Sequence, residues 1–454
     1  MAMRIPVRQM NGKVIILEVM PNLSIREFKQ KLKEWQPCED EVVRSMTTVD
    51  LVVEGQKLQD ADETLATSRI SPEAVVNVLF TISPVECSSR QDSGCDVRDL
   101  LVVAVPETVA HIAESAFLKC VSLVEVTIPK SVALIGDNAF GFCSSLQTVE
   151  IPNSVSYLGH SAFRGCRSLA NVTIPNSVTR IGCFTFHGCI SLKSVTIPRS
   201  VTSIDFFAFG GCSSLTSLTV SDSVTQIGAF AFKGCKSLAS LIMPDAVTDI
   251  GDFAFEGCSS LSRLAIPSFV TRISPSAFQH CSSLETLTIP NSVTEIASDA
   301  YRDCRSLKSL VIPDSVTQIG DCAFSGCHSL IRVVLPNSLN HIGQRAFFRC
   351  SSLSSLTIPN SVCNIGVRAF NRCSSLESLN IGNSVRHIGS HAFDGCSSLT
   401  HLAIPKSVTC IGVGAFQDCS SLAHVRVRGR KTKCPRSAFG CPAQLRFRKS
   451  PSHS

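Results

Sequence analysis

Apolar positions recur along this chain with a period of 23 residues, from about residue 100 to residue 441. One unit reads approximately I-P-x-S-V-T-x-I-G-x-x-A-F-x-G-C-S-S-L-x-S-L-T, with small and polar residues between the apolar ones. A fixed period between roughly 20 and 50 residues is the signature of a solenoid, in which each coil buries its apolar side chains against its neighbours. The pattern therefore predicts a mainly-β solenoid with 23-residue coils over residues 100–441.

Each unit contains two short extended segments. The first, as in SSLETLTIP (282–290), has the spacing of a short strand, and in most units a proline such as Pro290 follows it, where the ladder must end because proline has no N–H donor. The second is S-V-T-x-I, and the glycine after it, such as Gly228, is expected to permit a left-handed turn. The run A-F-x-G-C then predicts one tight helical turn at most. Stacked coils would join the strands into long parallel sheets.

Cysteine holds one fixed position in every unit. Fourteen cysteines follow each other at 23-residue intervals: Cys120, Cys143, Cys166, Cys189, Cys212, Cys235, Cys258, Cys281, Cys304, Cys327, Cys350, Cys373, Cys396 and Cys419. Coils stacked ~4.8 Å apart would place them in one column, with parallel side chains that do not favour a disulfide. A single-file column also lacks the converging ligands that a metal needs. We therefore expect buried packing residues and no metal site.

The first 82 residues follow a different pattern. Residues 3–19 predict two strands joined at Asn11-Gly12, SIREFKQKLKEW (24–35) predicts a capped helix, and residues 51–58 and 75–82 predict two further strands. This order predicts an α+β β-grasp domain at residues 1–82. A linker at 83–99 and a basic disordered tail at 442–454 complete the predicted organisation.

Residues 3–81 also resemble ubiquitin. The similarity rests on M-x-I-x-V with N-G-K, L-E-V-x-P, S-I-x-x-x-K, G-x-K-L-x-D and T-L-x-x-x-x-I. It implies a docking patch at Met10, Val52 and Leu79, which are all apolar. The positions beside the patch hold Asp50 and Asn77, so partner choice is expected to differ. The chain continues past residue 82 without a Gly-Gly terminus, so conjugation to other proteins is not expected.

The repeats resemble the BspA-like class of leucine-rich repeats. The run A-F-x-G-C-S-S-L-x-x-I-x-I-P recurs from Ala116 onward. The resemblance implies a right-handed β-solenoid-like arc that serves in recognition and adhesion. Many members are cell-surface proteins with a secretion signal, whereas the first residues here read as no such signal. On that ground, and because no window approaches the ~18 apolar residues of a membrane helix, we expect an intracellular protein, cytoplasmic rather than nuclear, without a membrane partner.

The charge distribution and the sequence motifs limit the functions that we expect of this chain. The formal net charge is +6, and residues 426–454 carry nine basic and no acidic side chains. The run RVRGRKTK (426–433) lacks the interleaved aromatics of a nucleic-acid site, and we interpret it as part of a solvated cap. No P-loop, H-E-x-x-H, G-x-S-x-G or dinucleotide fingerprint is present, so we expect no catalytic residue and no cofactor.

The sequence therefore predicts a non-catalytic adaptor. Its leucine-rich repeats would bind a client protein, and its ubiquitin-like domain would dock to ubiquitin receptors or proteasome-associated proteins. On the exposed strand positions, Arg263, Arg332, His401 and His424 add positive charge and indicate an acidic protein partner. One alternative is a surface or secreted adhesion protein that acts through the repeats alone. A second alternative is an enzyme with an unrecognised site.

Overall fold

The computed structural model describes residues 102–428 and 432–440, together with the backbone of strands at 3–8, 14–19, 47–53, 56–58, 76–82 and 446–447. The chain divides into two compact units. The first comprises residues 1–179 and 188–192, and the second comprises residues 180–187 and 193–454. The helix predicted at 24–35, the linker at 83–99 and the tail beyond residue 447 lie outside the described residues.

Five strands pair in the N-terminal segment. They are β1 (Met3–Arg8), β2 (Val14–Val19), β3 (Thr47–Val53), β4 (Gln56–Leu58) and β5 (Val76–Ile82). They pair in the order β2-β1-β5-β3-β4, with β1 and β5 parallel and the other pairs antiparallel. The β-grasp assignment stays a prediction, because the helix that would define it is not among the described residues.

The remainder is a mainly-β solenoid of about 14 turns with coils of about 23 residues and nearly no helix. Nearly every coil contributes one strand to a first ladder and a two-residue strand to a second ladder, as the sequence predicts. The coil that contains Ile242 joins the first ladder only through a bridge between Ser240 and Arg263. In the first unit, the first ladder contains β6 (Val102–Ala104), β8 (Glu125–Thr127), β10 (Thr148–Glu150) and β12 (Asn171–Thr173), and the second contains β7 (His111–Ile112), β9 (Leu134–Ile135) and β11 (Tyr157–Leu158). All pair in parallel.

The second unit repeats this arrangement. Its first ladder contains β14 (Ser194–Thr196), β16 (Ser217–Thr219), β19 (Arg263–Ala265), β21 (Thr286–Thr288), β23 (Ser309–Val311), β25 (Arg332–Val334), β27 (Ser355–Thr357), β29 (Ser378–Asn380), β31 (His401–Ile404) and β33 (His424–Val427), with β34 (Arg446–Phe447) beside β33. Its second ladder contains β13 (Arg180–Ile181), β15 (Ser203–Ile204), β17 (Gln226–Ile227), β18 (Asp249–Ile250), β20 (Arg272–Ile273), β22 (Glu295–Ile296), β24 (Gln318–Ile319), β26 (His341–Ile342), β28 (Asn364–Ile365), β30 (His387–Ile388) and β32 (Cys410–Ile411).

Between one second-ladder strand and the next first-ladder strand, each coil makes tight turns, which we call the turn face. One 3-10 helix, Arg436–Phe439, occupies the corresponding place at the C-terminal end. Its Phe439 stacks on Phe416 with ring centroids 5.3 Å apart, so the aromatic column continues into the predicted C-terminal cap.

The core consists of residue columns that run along the stack. In the second unit, aromatic rings from Phe186 to Phe439 stack at centroid distances of 5.2–5.5 Å. Tyr301 takes one place in this column and is fully buried. The cysteines from Cys120 to Cys396 are also fully buried, which confirms the packing prediction, whereas Cys419 in the last coil is only partly buried.

The thiols do more than fill space. From Cys143 onward, each column thiol donates a hydrogen bond of 3.0–3.5 Å to the phenylalanine or tyrosine carbonyl 26 residues earlier. Burial raises the pKa of the Cys258 thiol to about 12, so the proton that makes this bond stays in place at neutral pH. The column thus links adjacent coils by polar contacts that the sequence pattern does not reveal.

The glycine after the second strand has another role than the one predicted. Gly228 does not adopt positive φ; the left-handed residues come later in the coil, at Phe230 and Gly234. A Cβ atom at Gly228 would lie 2.7 Å from the carbonyl carbon of Asp205 and 2.9 Å from the amide nitrogen of Phe206. Glycine is therefore required there because the backbones of two coils approach closely.

Candidate protein-binding face

Nearly every three-residue strand of the first ladder exposes its first and third residues and buries the middle one. This alternation follows from the period-2 geometry of a strand that has its core on one side only. The exposed residues therefore form two columns along the face, one from the first strand position and one from the third. In the second unit, these columns hold every repeat residue that the sequence analysis selected.

In the middle of the second unit, apolar residues replace threonine at several places in the third-position column. Threonine occupies it at Thr196, Thr219 and Thr357, whereas an isoleucine and two valines occupy it at Ile242, Val311 and Val334. Their exposed fractions are 85%, 66% and 40% respectively, and the neighbouring Ile331 is 53% exposed. Val311 pairs with Val334 across adjacent coils, whereas Ile242 lies three coils before Val311, with Ala265 and Thr288 between them in the column. We call Val311, Ile331 and Val334 the apolar patch. An exposed apolar cluster with a polar surround is typical of an interaction surface.

Basic side chains border this patch. Arg263 and Arg332 occupy the first-position column, and both are exposed. They lie three coils apart, which at ~4.8 Å per coil is a separation of roughly 14 Å. Lys308 and Glu285 form an ion pair of 2.9 Å between them. Hydrogen bonding and charge from Lys308 lower the pKa of Glu285, and the charge of Arg263 acts in the same direction. Positive charge therefore predominates around the apolar patch.

The two predicted histidines lie farther along the same column. His401 pairs with His424 in the parallel register of β31 and β33, and their ring centroids are 5.1 Å apart. They are thus brought together with each other, three and four coils after Arg332, and not with the arginines. Among the described residues, no three His, Cys, Asp or Glu side chains converge on a position that could hold a metal ion.

The predicted N-terminal patch is placed only in part. Val52 pairs with Asn77, and Asp50 pairs with Leu79, so Val52 and Leu79 belong to adjacent strands β3 and β5. Met10 lies outside the described residues, and so do the side chains of the other two. Their use as a docking patch stays a prediction.

A second exposed feature escaped the sequence analysis. Phe184, Phe207, Phe230 and Phe253 occur at one turn-face position in four successive coils, and their half-buried rings stack at centroid distances of 4.5–5.3 Å. All four have positive φ, a strained conformation for a bulky residue. Lys233 lies 5.2 Å above the ring of Phe230. The signal in the sequence was a second phenylalanine two residues before the column phenylalanine.

The family model described as BspA type leucine-rich repeat region (6 copies) matches residues 95–216, 202–331 and 317–445. The chain belongs to the BspA-type leucine-rich repeat family. The matched residues coincide with the solenoid, and the N-terminal segment lies outside them. No curated protein sequence matches the chain significantly.

Solved structures of leucine-rich repeat proteins are similar to this chain. A protein from Bacteroides ovatus ATCC 8483 is 27% identical over 82% of this chain and 95% of its own, with a TM-score of 0.63. A leucine-rich cell surface protein from Faecalibacterium prausnitzii A2-165 is 25% identical over 83% and 91%, with a TM-score of 0.38. A leucine-rich repeat protein from T. pallidum is 33% identical over 40% and 78%, with a TM-score of 0.34.

Proposed function

We propose that this protein is a non-catalytic recognition protein that binds another protein through the exposed face of its first ladder. The single observation that carries the proposal is the apolar patch, because Val311 and Ile331 are more than half exposed and Val334 is 40% exposed on a face that is otherwise mostly polar. Leaving such side chains in water is unfavourable, and each isoleucine or valine that a partner covered completely would contribute ~1.5–3 kcal/mol.

The surroundings of the patch define the partner. Arg263 and Arg332 are exposed beside the apolar column, and the nearby Glu285 is already engaged by Lys308. A partner that presents apolar side chains flanked by Asp or Glu would complement this surface in charge as well as in hydrophobicity. We therefore propose an acidic and partly apolar protein segment as the partner.

The repeats are sufficient for this activity. The patch and its basic border belong entirely to the second unit, and the family match covers the repeats alone. This favours the surface or secreted recognition protein over the adaptor that needs an N-terminal docking domain. The part of the chain that the structure describes contains no helix with the length and apolarity needed to cross a membrane.

Docking to ubiquitin-handling machinery is a separate hypothesis, which concerns residues 1–82. An intracellular location of the protein is a further hypothesis. The family match and the B. ovatus structure offer no support for the ubiquitin-like hypothesis. It is tested by binding of the full chain to a panel of ubiquitin receptors, wild type against Val52→Arg. Binding by neither form would remove the hypothesis and leave the repeat-based function intact.

The test of the proposed function is a quantitative pull-down from the protein's native surroundings. The bait variant carries Val311→Thr and Val334→Thr, which introduces the residue that the same column holds at Thr219 and Thr357. The control bait carries Val367→Thr and Val413→Thr, which are 40% and 52% exposed on the turn face. We expect the patch variant to retain at least tenfold less of a specific partner protein than the wild type does, and the control bait to retain as much as the wild type. Equal retention by all three baits would contradict the proposal.

A further inference from the structure

Four arginines lie together on the turn face of two consecutive coils. Arg345 and Arg349 belong to one coil, and Arg368 and Arg372 occupy the equivalent positions of the next. The backbone register is fixed, because the N–H of Arg345 donates to the carbonyl of Val367 at 2.9 Å and that of Arg349 donates to the carbonyl of Asn371 at 2.8 Å. We call these four residues the arginine cluster.

The backbone at these positions does not favour arginine. All four residues have φ values between 53° and 61°, in the left-handed region where a side chain is strained. Equivalent positions in other coils hold Ser115, Ser161 and Ser276 in place of the first arginine of each pair. Gly326 and Gly395 flank the second pair in their column. Other coils hold Phe253, Asp299 and His391 at the first of these positions with the same positive φ, so the left-handed backbone is common to the repeat and does not by itself select arginine.

The positive charges of the cluster are not neutralised within the protein. Among the described residues, none of the four arginines forms an ion pair, whereas Arg302 and Arg305 two coils earlier contact Asp299 and Asp303. Because coils stack ~4.8 Å apart, equivalent guanidinium groups repel each other unless an anion lies between them.

The nearest carboxylates on the turn face already have other partners. Asp321 accepts a hydrogen bond of 2.7 Å from the backbone N–H of Gln344. Asp394 accepts one of 3.0 Å from the side chain of Asn371 and contacts His391 at 3.1 Å. These contacts orient both carboxylates within their own networks, so the cluster faces solvent as a set of donors.

Packing holds two of the arginines in place. The guanidinium of Arg349 lies 5.1 Å from the ring centroid of Phe348. The Cγ of Arg372 would be 3.3 Å from a Cβ at Gly395, so its stem rests on the glycine of the next coil. Arg345, Arg349 and Arg372 are exposed, and Arg368 is half-buried. Side chains that are ordered before binding lose less entropy when a ligand arrives.

We propose that the arginine cluster binds a sulfated polysaccharide, two of whose sulfate groups lie between the paired guanidinium groups. The planar fork of arginine matches the oxygens of a sulfate or phosphate group. Nucleic acid is disfavoured, because the ring of Phe348 beside the cluster is covered by Arg349 and offers no stacking platform for bases. The site goes beyond the proposed protein-binding function and lies on a different face of the coils.

The full chain is tested with a heparin hexasaccharide, with chemically desulfated heparin, and with a single-stranded oligonucleotide, by calorimetry near physiological salt. One variant carries Arg345→Ser and Arg368→Ser, and another carries Arg349→Gly and Arg372→Gly. These are residues that the same columns already contain, so both variants should fold, which a thermal melt verifies. The control carries Arg199→Ser and Arg386→Ser, two exposed arginines elsewhere, and loses the same net charge.

We expect heparin to bind the wild type, each cluster variant to bind it at least tenfold more weakly, and the control to bind within about twofold. Desulfated heparin should not bind. The proposal is overturned if heparin fails to bind, or if the control loses as much affinity as the cluster variants, which would indicate net charge alone. Tighter binding of the oligonucleotide through the same arginines would identify a nucleic-acid site and also overturn it.

Discussion

Replacing Tyr301 by phenylalanine is expected to stabilise the protein. The ring of Tyr301 stacks between Phe278 and Phe324 with centroids 5.4 Å away on each side, and the residue is fully buried. Its hydroxyl has no hydrogen-bond partner among the described residues. Burial raises the pKa of this phenol well above its usual range, because the ionised form would also lose its hydration.

The magnitude follows from the group that is removed. A buried polar group without a partner costs ~1–3 kcal/mol, and Tyr301→Phe abolishes that cost while the stacking stays in place. We therefore expect the free energy of unfolding to rise by at least ~1 kcal/mol, and the melting temperature by about 2 °C. The matched control is Phe324→Tyr, which adds a hydroxyl to the next place in the same column and should destabilise by a similar amount.

Thermal and urea melts followed by far-ultraviolet circular dichroism would measure both variants, since the repeats dominate that signal. The reasoning is refuted if Tyr301→Phe lowers the stability, or if Phe324→Tyr is neutral. Either result would mean that the column can satisfy a hydroxyl, and hence that the rings are packed less closely than the stacking distances indicate.

Three further predictions concern the coil interior. Cys258→Ala should lower the free energy of unfolding by ~1 kcal/mol because it leaves a small cavity. Cys258→Ser should cost no more than this, because the carbonyl of Phe232, which accepts a hydrogen bond from the thiol at 3.4 Å, can also accept one from a hydroxyl. Urea midpoints measure both variants, and a serine variant much less stable than the alanine variant would contradict the prediction. Burial raises the pKa of the Cys258 and Cys373 thiols from 9.0 to about 12, so the stability that they contribute is complete below pH 9 and is lost as the pH rises from 9 to 12. Each thiol should lose ~1.4 kcal/mol per pH unit, and a melting temperature that is flat across this window in reducing buffer would be inconsistent with a buried thiol column. Gly228→Ala should cost ~1–3 kcal/mol, because its Cβ would meet the Asp205 carbonyl carbon at 2.7 Å, and a melt equal to wild type would contradict the close approach.

The strict repeat explains why so much of the solenoid could be predicted. A residue that recurs every 23 positions occupies the same environment in each coil, so the burial of the cysteine and phenylalanine columns followed from counting. The function of Gly228 was predicted wrongly, because both a left-handed turn and a close backbone contact select glycine. The thiol hydrogen bonds could not be predicted, because their acceptors are backbone carbonyls, which leave no trace in side-chain identity.

Only part of the candidate site could be predicted from the sequence. Arg263 and Arg332 were selected for their charge, but their separation by three coils shows that they border a surface and do not form a single site. The apolar patch was missed, although Val311 and Val334 depart from the threonine that the column otherwise prefers. In a repeat protein the informative residues are those that break the pattern, because the pattern itself encodes the scaffold.

The central claim is that the apolar patch contacts a partner protein, and site-specific photocrosslinking tests it most directly. A photoreactive amino acid would replace Val311 in the full chain, and a matched protein would carry it at Val413, which is 52% exposed on the turn face. Both would be irradiated in the protein's native surroundings, and crosslinked species would be identified by mass spectrometry. We expect a discrete crosslinked partner rich in acidic and apolar residues from position 311 and none from position 413. No crosslink from position 311, or the same products from both positions, would contradict it.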